Sequence, residues 1–288
     1  MWVLAAMVSA FFSGVTSVLA KLGVRTADSD IAITLRTFVI LIFTWAVAAA
    51  FGDLAAWGSL TPTAVFFLAA SGICSGISWA LFFKALSLGP LNKVGPLDKV
   101  SSVLTVLFSI LILHEVNHIG IKLVCSAVIL VGTYLMAEKD PDGEQVEGWA
   151  WLAYALAGVA LAVPTSILAK FGIEDIPSNL ATAIRTSFVF ATNAAFLVAR
   201  RKVSLIPKTD RRELGFIAAS GISNSITWLT YYYAVSIGPV SVIEPINKLS
   251  LVVSMAFAAT VLHEKFSRRS LIGLALLVVA TLAMTVFA

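Results

Sequence analysis

The sequence predicts an all-α membrane protein, with ten transmembrane helices arranged as two inverted five-helix repeats around a central cavity. Three observations predict it. Hydrophobic residues make up 59% and charged ones 12% of the 288 residues, at a mean hydropathy of +0.95; a soluble domain carries about a quarter charged residues. Apolar runs of about 20 residues, the length a helix needs to cross a bilayer, recur along the whole chain. They are continuous rather than alternating, which favours helices over a barrel. Finally, the chain is written twice. A shift of 149 residues without gaps aligns "SGICSGISWALFFKALSLGP" with "SGISNSITWLTYYYAVSIGP", and from 71 to 115 the copies share 17 of 45 residues.

The elements follow in order. The first run, 2–22, lacks a basic leader and is long enough to cross, so it reads as a span rather than a cleaved signal. Spans are expected next at 30–52, 62–88, 92–113 and 119–138, closing a first repeat over 1–138. The acidic stretch "EKDPDGEQVEG" (138–148) makes 139–148 an exposed linker. The second repeat, 149–288, places spans at 149–170, 178–199, 213–237, 241–262 and 269–288. Each repeat holds an odd number of spans, so two in series enter the membrane in opposite directions, the plan of secondary transporters with a site near the midplane.

Charge tests the inversion independently. Connections after spans 1, 3, 5, 7 and 9 hold fourteen Lys and Arg, whereas those between them hold only Lys122 and Lys170. The positive-inside rule then puts the first set in the cytoplasm and both termini outside. A basic excess facing headgroups is no nucleic-acid surface, so the expected partners are a small-molecule substrate and membrane lipid, the chain acting as a monomer or homodimer. Cys74 and Cys125 fall inside spans and have Ser223 and Leu274 as counterparts, which suits small core residues rather than a disulfide or metal pair. Neither a metal nor another cofactor is expected.

The motif "PLDKVSS" (96–102) returns as "PINKLSL" (245–251). Val100 to Leu113 gives only 14 uncharged residues, about 21 Å of helix against a core of about 30 Å. Spanning therefore draws Asp98 and Lys99 below the headgroups, and Asn247 and Lys248 in the second copy. Pro90, Pro96, Pro239 and Pro245 predict a broken or late-starting helix in both copies. An embedded charge costs a few kcal/mol, which points to function. Lys99 and Lys248 are the expected electrostatic anchors, and Asp98, Asn247, Ser101 and Ser250 the polar contacts. The blander alternative has the lysines snorkelling and Asp98 and Asn247 capping helices. Arg36 and Arg185 lie some six residues inside their spans and are further binding candidates, with snorkelling or a structural contact the alternative. Lys170 ends its span and reads as an interface anchor. Third-span aromatics stand at i, i+3 and i+4: Trp79, Phe82 and Phe83, then Trp228, Tyr231 and Tyr232. Among these, Trp79, Trp228, Phe83 and Tyr232 are the expected apolar wall of the site. Glu244, which stands where the first copy has Gly95, and Asp98 are the acids that could carry a coupling proton.

With the repeat and its "GP…P…K.S…HE" phrase in place, the sequence resembles the EamA type of the drug/metabolite transporter superfamily over nearly its whole length. Gly89-Pro90, Gly238-Pro239, Arg36, Arg185, Glu115 and Glu264 carry the resemblance. It implies two five-helix inverted repeats moving small metabolites, often amino acids or their relatives and frequently outward, across the bacterial inner membrane. It also implies cytoplasmic termini, against the charge count. Two other readings compete. A flippase for lipids or lipid-linked carriers would need a lateral opening and a basic headgroup site. An intramembrane metalloprotease would use "HEVNH" (114–118), with His114 and His118 as zinc ligands and Glu115 as base.

Overall fold

The computed structural model describes residues 1–23, 28–88, 91–136, 149–261, 263 and 266–288, and for 21–23, 86–87, 91–93, 95–99, 208 and 261 the backbone alone. Among the described residues there are eleven α-helices and no strand. They are α1 (Trp2–Gly23), α2 (Ser29–Ala50), α3 (Pro62–Leu88), α4 (Leu91–Ile112), α5 (Ile119–Met136) and α6 (Ala150–Ile173), followed by α7 (Ser178–Ala199), α8 (Arg211–Ile237), α9 (Val240–Asn247), α10 (Ser250–Val261) and α11 (Arg268–Phe287). Eight segments are long and apolar enough to cross a membrane, counting Val240–Thr260 as one. The chain is a multi-pass membrane protein.

Helix starts follow elementary capping. Asp28, Asp210 and Ser267 each accept a backbone N–H of the helix they precede: Asp30 N at 2.9 Å, Arg212 N at 3.2 Å and Ser270 N at 3.1 Å. The two copies of the proline-rich span fold differently. α4 runs unbroken through Pro96, so the expected break is absent from the first copy. In the second copy the helix stops at Asn247 and resumes at Ser250. There Lys248 N–H bonds Pro245 O and Leu249 N–H bonds Ile246 O, a tightened turn between α9 and α10.

The packing pairs exchange under the 149-residue offset. α1 packs on α8 as α6 packs on α3, α3 packs on α7 as α8 packs on α2, and α2–α7 and α5–α11 map onto themselves. Individual contacts repeat the exchange. Ser9 Oγ donates to Thr227 O at 3.0 Å in one interface, and Ser78 Oγ to Gly158 O at 2.8 Å at the equivalent place in the other. A Cβ on Gly72 would stand 2.6 Å from Arg185 O, and one on its counterpart Gly221 would stand 3.2 Å from Arg36 O. Both glycines let a third-span helix press against the backbone of an arginine-bearing helix.

α2 and α7 run antiparallel, tied at both ends. At one end Asp30 meets Arg200 and Lys202, each at 2.6 Å, and Asp28 meets Lys202 at 2.7 Å. Partial burial alone would lower the Lys202 pKa, but the hydrogen bonds and charges of Asp28 and Asp30 raise it above the ordinary lysine value. At the other end Asn179 Nδ2 donates to Asp53 Oδ2 at 2.8 Å. Positions 30 and 179 are repeat equivalents, as are 53 and 202.

Candidate functional site

Arg185 leads the site. It lies seven residues into α7, roughly 10 Å along the helix axis, and is only 2% exposed. Its Nε donates to Ser71 Oγ at 2.9 Å and its Nη2 to Ser75 Oγ. The guanidinium lies over Trp228 and Tyr232, 5.0 and 4.8 Å from the ring centroids. Those rings stack on each other at 5.5 Å and 13°, so two serines of α3 and two aromatic faces of α8 hold the cation. Ion–ring contacts of this kind contribute about 0.5–2 kcal/mol each. Among the described residues no carboxylate pairs with Arg185.

The i, i+3, i+4 spacing on α8 explains why Trp228, Tyr231 and Tyr232 share this face. Trp228 also approaches its repeat equivalent Trp79, with ring centroids 6.3 Å apart. Here equivalent residues of the two halves touch.

A second chain of contacts adjoins the cage through Tyr231. The Tyr231 hydroxyl lies 2.9 Å from Ser166 Oγ and donates to Glu244 Oε2 at 2.7 Å. Glu244 Oε1 faces Lys248 Nζ at 3.2 Å, with side chains 12% and 19% exposed. Asn247 beside it accepts from Ser9 Oγ at 3.4 Å. Six helices and the α9–α10 break thus converge on a polar, aromatic cluster inside the span region. It brings two cations, one carboxylate and a set of aromatic rings into one buried cluster.

Of the residues expected to form the site, the structure brings together Arg185, Trp228, Tyr232, Trp79, Glu244, Asn247 and Lys248. It does not bring in Phe83, which lines a cleft of about 370 Å³ with Asp30, Lys84 and Lys202 at the Asp28–Lys202 end. Arg36 is half-buried and, among the described residues, makes no hydrogen bond or ring contact like those that hold Arg185. Ser101 is buried in α4, and Ser250, half-buried, opens α10. The side chains of Asp98 and Lys99, like Gly89, Pro90 and Glu264, lie outside the described residues. Tyr231, Ser166, Ser71 and Ser75 join the site without having been among its expected members. Tyr231 belonged to the aromatic trio, and the serines stand at i, i+4 in "SGICS", one face of a helix.

The "HEVNH" stretch forms no zinc site geometry. His114 and His118 have φ of 53° and 51°, so the segment is not helical and the i, i+4 histidine pair is not presented. Glu115 spends both carboxylate oxygens elsewhere, accepting the Val240 and Ser241 backbone N–H groups at 2.8 Å each. It is the anionic cap of α9. Lys170, expected as an interface anchor, instead donates to the Val235, Ser236 and Gly238 carbonyls at the end of α8. Together they grip the Gly238-Pro239 corner from both sides.

Comparison with known proteins adds three likenesses. The model of the EamA-like transporter family matches residues 1–137 and again 149–286. A Sinorhizobium sp protein named "Uncharacterized transporter in cobO 3'region" is 36% identical over 137 residues, 46% of this chain and 97% of that protein. A solved crystal structure superposes with a TM-score of 0.79 at 20% identity, covering 100% of this chain and 97% of the other, a likeness of fold alone.

Proposed function

We propose that this chain, which belongs to the EamA-like transporter family, is a secondary transporter that moves a small polar or amphipathic metabolite by alternating access. Amino acids and organic anions are the favoured substrates. The observation that carries this reading is the caged Arg185, a buried cation with no carboxylate partner among the described residues. A charge at membrane depth is costly, and such residues mark substrate or ion pathways. A substrate carboxylate received between Arg185 and Lys248 would supply the missing anion, and Trp79, Trp228 and Tyr232 would flank its apolar part. Lys99 would be the first repeat's anchor, with Asp98, Asn247, Ser101 and Ser250 as polar contacts and Arg36 as the counterpart of Arg185.

The exchange of packing pairs and the antiparallel α2–α7 couple support two inverted repeats, 1–138 and 149–288, joined by 139–148. α4 and α8 would complete ten crossings beside the eight apolar segments. Contacts between connections support the same alternation. The Asp28–Asp30 cluster meets the segment after α7, and Arg269 lies 5.5 Å over the Tyr134 ring at the end of α5, all on the odd-numbered side. Glu115, Lys170, Asp53 and Asn179 make their contacts among even-numbered connections. The even side carries only two lysines, Lys122 and Lys170, and both donate to backbone carbonyls. The odd side would therefore be cytoplasmic, in the plasma membrane, with both termini outside. Cysteines introduced as Arg201→Cys and Asp175→Cys, with Cys74 and Cys125 replaced, test this in intact cells. An impermeant maleimide should label position 175 directly and position 201 only after permeabilisation; the reverse order would overturn the orientation.

For the transport reading, purified protein in liposomes loaded with unlabelled amino acids and organic acids should accumulate components of a radiolabelled mixture of the same compounds. Lys248→Ala should fold and lose at least about 90% of that counterflow, as expected when an anchoring charge contact of a few kcal/mol goes. Full activity in Lys248→Ala would remove Lys248 from the site. Translocation of a fluorescent phospholipid with no counterflow of the mixture would replace the metabolite reading by the flippase one.

A further inference from the structure

Glu244 differs from the other described carboxylates. The rest stand at helix ends or in connections, whereas Glu244 sits in the middle of α9, within the apolar segment Val240–Thr260. Its two oxygens have different partners: Oε2 accepts from Tyr231 at 2.7 Å, and Oε1 faces Lys248 at 3.2 Å. Lys248 belongs to neither α9 nor α10 but to the turn between them, and its ammonium, on four rotatable side-chain bonds, can change direction by rotamer alone. The first copy has Gly95 at the equivalent position, so the repeat supplies this carboxylate once.

We propose that Glu244 is the coupling-proton site of the transporter, taking up one proton when Lys248 turns from it to a substrate carboxylate and releasing it when the substrate leaves. This rests on the transport reading above. Among the described residues, a carboxylate stripped of its cation at this depth would keep only the Tyr231 hydroxyl, and an unpaired buried anion costs several kcal/mol. Taking a proton removes that cost. The proton comes from water on the loading side, binds Oε1 as Lys248 departs, and returns to water on the release side when the ion pair re-forms. Apart from this one O–H bond, no covalent bond is made or broken. One proton travels with each substrate.

Among the described residues the groups around Glu244 are few. α9 packs against α1, α4, α5, α6, α8 and α11. α8 presents Tyr231, with Tyr232 and the caged Arg185 beyond it, and α6 presents the Ser166 hydroxyl. Lys170 of α6 is committed to carbonyls at the end of α8, and Lys122 of α5 donates to Glu115 O at 2.8 Å. Cys125 of α5 is buried, and Tyr154 of α6 is exposed. Between 2 and 20 α1 has no ionisable side chain, and α11 has only Arg268 and Arg269, at its start. α4 carries Lys93, Asp98 and Lys99, whose side chains lie outside the described residues.

Infrared difference spectroscopy of the purified protein tests the protonation directly. Acidification should raise a protonated-carboxyl band in the wild type that Glu244→Gln lacks. In Lys248→Gln the midpoint of that band should move to higher pH by about one unit, a tenfold gain in proton affinity, because the ammonium no longer favours the anion. In proteoliposomes, a pH gradient should change the uptake of the radiolabelled amino-acid and organic-acid mixture in wild type and leave uptake by Glu244→Gln unchanged. Persistence of the full band in Glu244→Gln, or wild-type uptake indifferent to the gradient, would overturn the proposal. Absence of uptake of every component would reject the transport reading, and the infrared band would still report whether Glu244 takes a proton.

Discussion

Arg185→Ala is expected to reduce counterflow by about 30-fold or more while leaving the fold intact. The magnitude follows from removing one partner of a desolvated charge contact, about 2–5 kcal/mol, at 1.4 kcal/mol for each factor of ten. Stability should move the other way. Among the described residues the buried guanidinium is compensated by two hydroxyls and two ring faces, and taking such an ion from water costs several kcal/mol. Removing it relieves that cost, so the thermal midpoint in detergent should hold or rise as transport falls, the trade expected where a site is built at the expense of stability. Arg185→Lys should not rescue transport. A compact ammonium cannot reach Ser71 and Ser75 together while keeping its face on Trp228 and Tyr232, which a planar guanidinium does. Wild-type transport in the alanine variant, or a lowered thermal midpoint, would make Arg185 a structural residue.

Glu115→Ala should have the largest effect on stability, a loss of about 2 kcal/mol. The carboxylate accepts both of the first two N–H groups of α9 at 2.8 Å, and charge-assisted bonds are roughly twice as strong as neutral ones. The alanine variant leaves both donors without that acceptor at a helix start, where capping alone contributes about 1 kcal/mol. α9 has only eight residues, so its own propagation cannot compensate. Glu115→Gln keeps one acceptor oxygen but turns an amide N–H toward a backbone donor, so it should recover less than half of the loss. Because α9 carries Glu244 and Asn247, both variants should also weaken transport. Thermal unfolding of the purified variants checks this, and an unchanged midpoint in Glu115→Ala would refute the capping role.

The two variants separate the two jobs of charged residues in this chain. Both were visible in the sequence, Arg185 as a charge inside an apolar span and Glu115 in the repeated His-Glu after the fourth span, and each has a charged repeat equivalent, Arg36 and Glu264. Hydropathy could not distinguish a cation that waits for a substrate from an anion that pins a corner. Their partners decide it: Glu115 meets backbone donors of a helix 125 residues away, and Arg185 meets rings 43 and 47 residues away. Lys170 shows the same limit, since a lysine at a span end that caps a neighbouring helix reads like one that snorkels.

What the sequence determined by itself was the existence and order of the helices. Each expected span holds helix, and several bounds agree to the residue, as in Pro62–Leu88 and Ser178–Ala199. The reason is that lipid offers no hydrogen bonds, so a long apolar run has one stable conformation whatever its neighbours are. The 149-residue repeat likewise named its equivalent pairs before any contact was known. Only the tertiary structure decided how far the copies depart from one another. α4 runs through Pro96 while its counterpart breaks at Lys248, and Arg185 is caged where Arg36 is not. Similar local sequences permit both outcomes, and the choice belongs to side chains from other helices, whose packing no local pattern encodes.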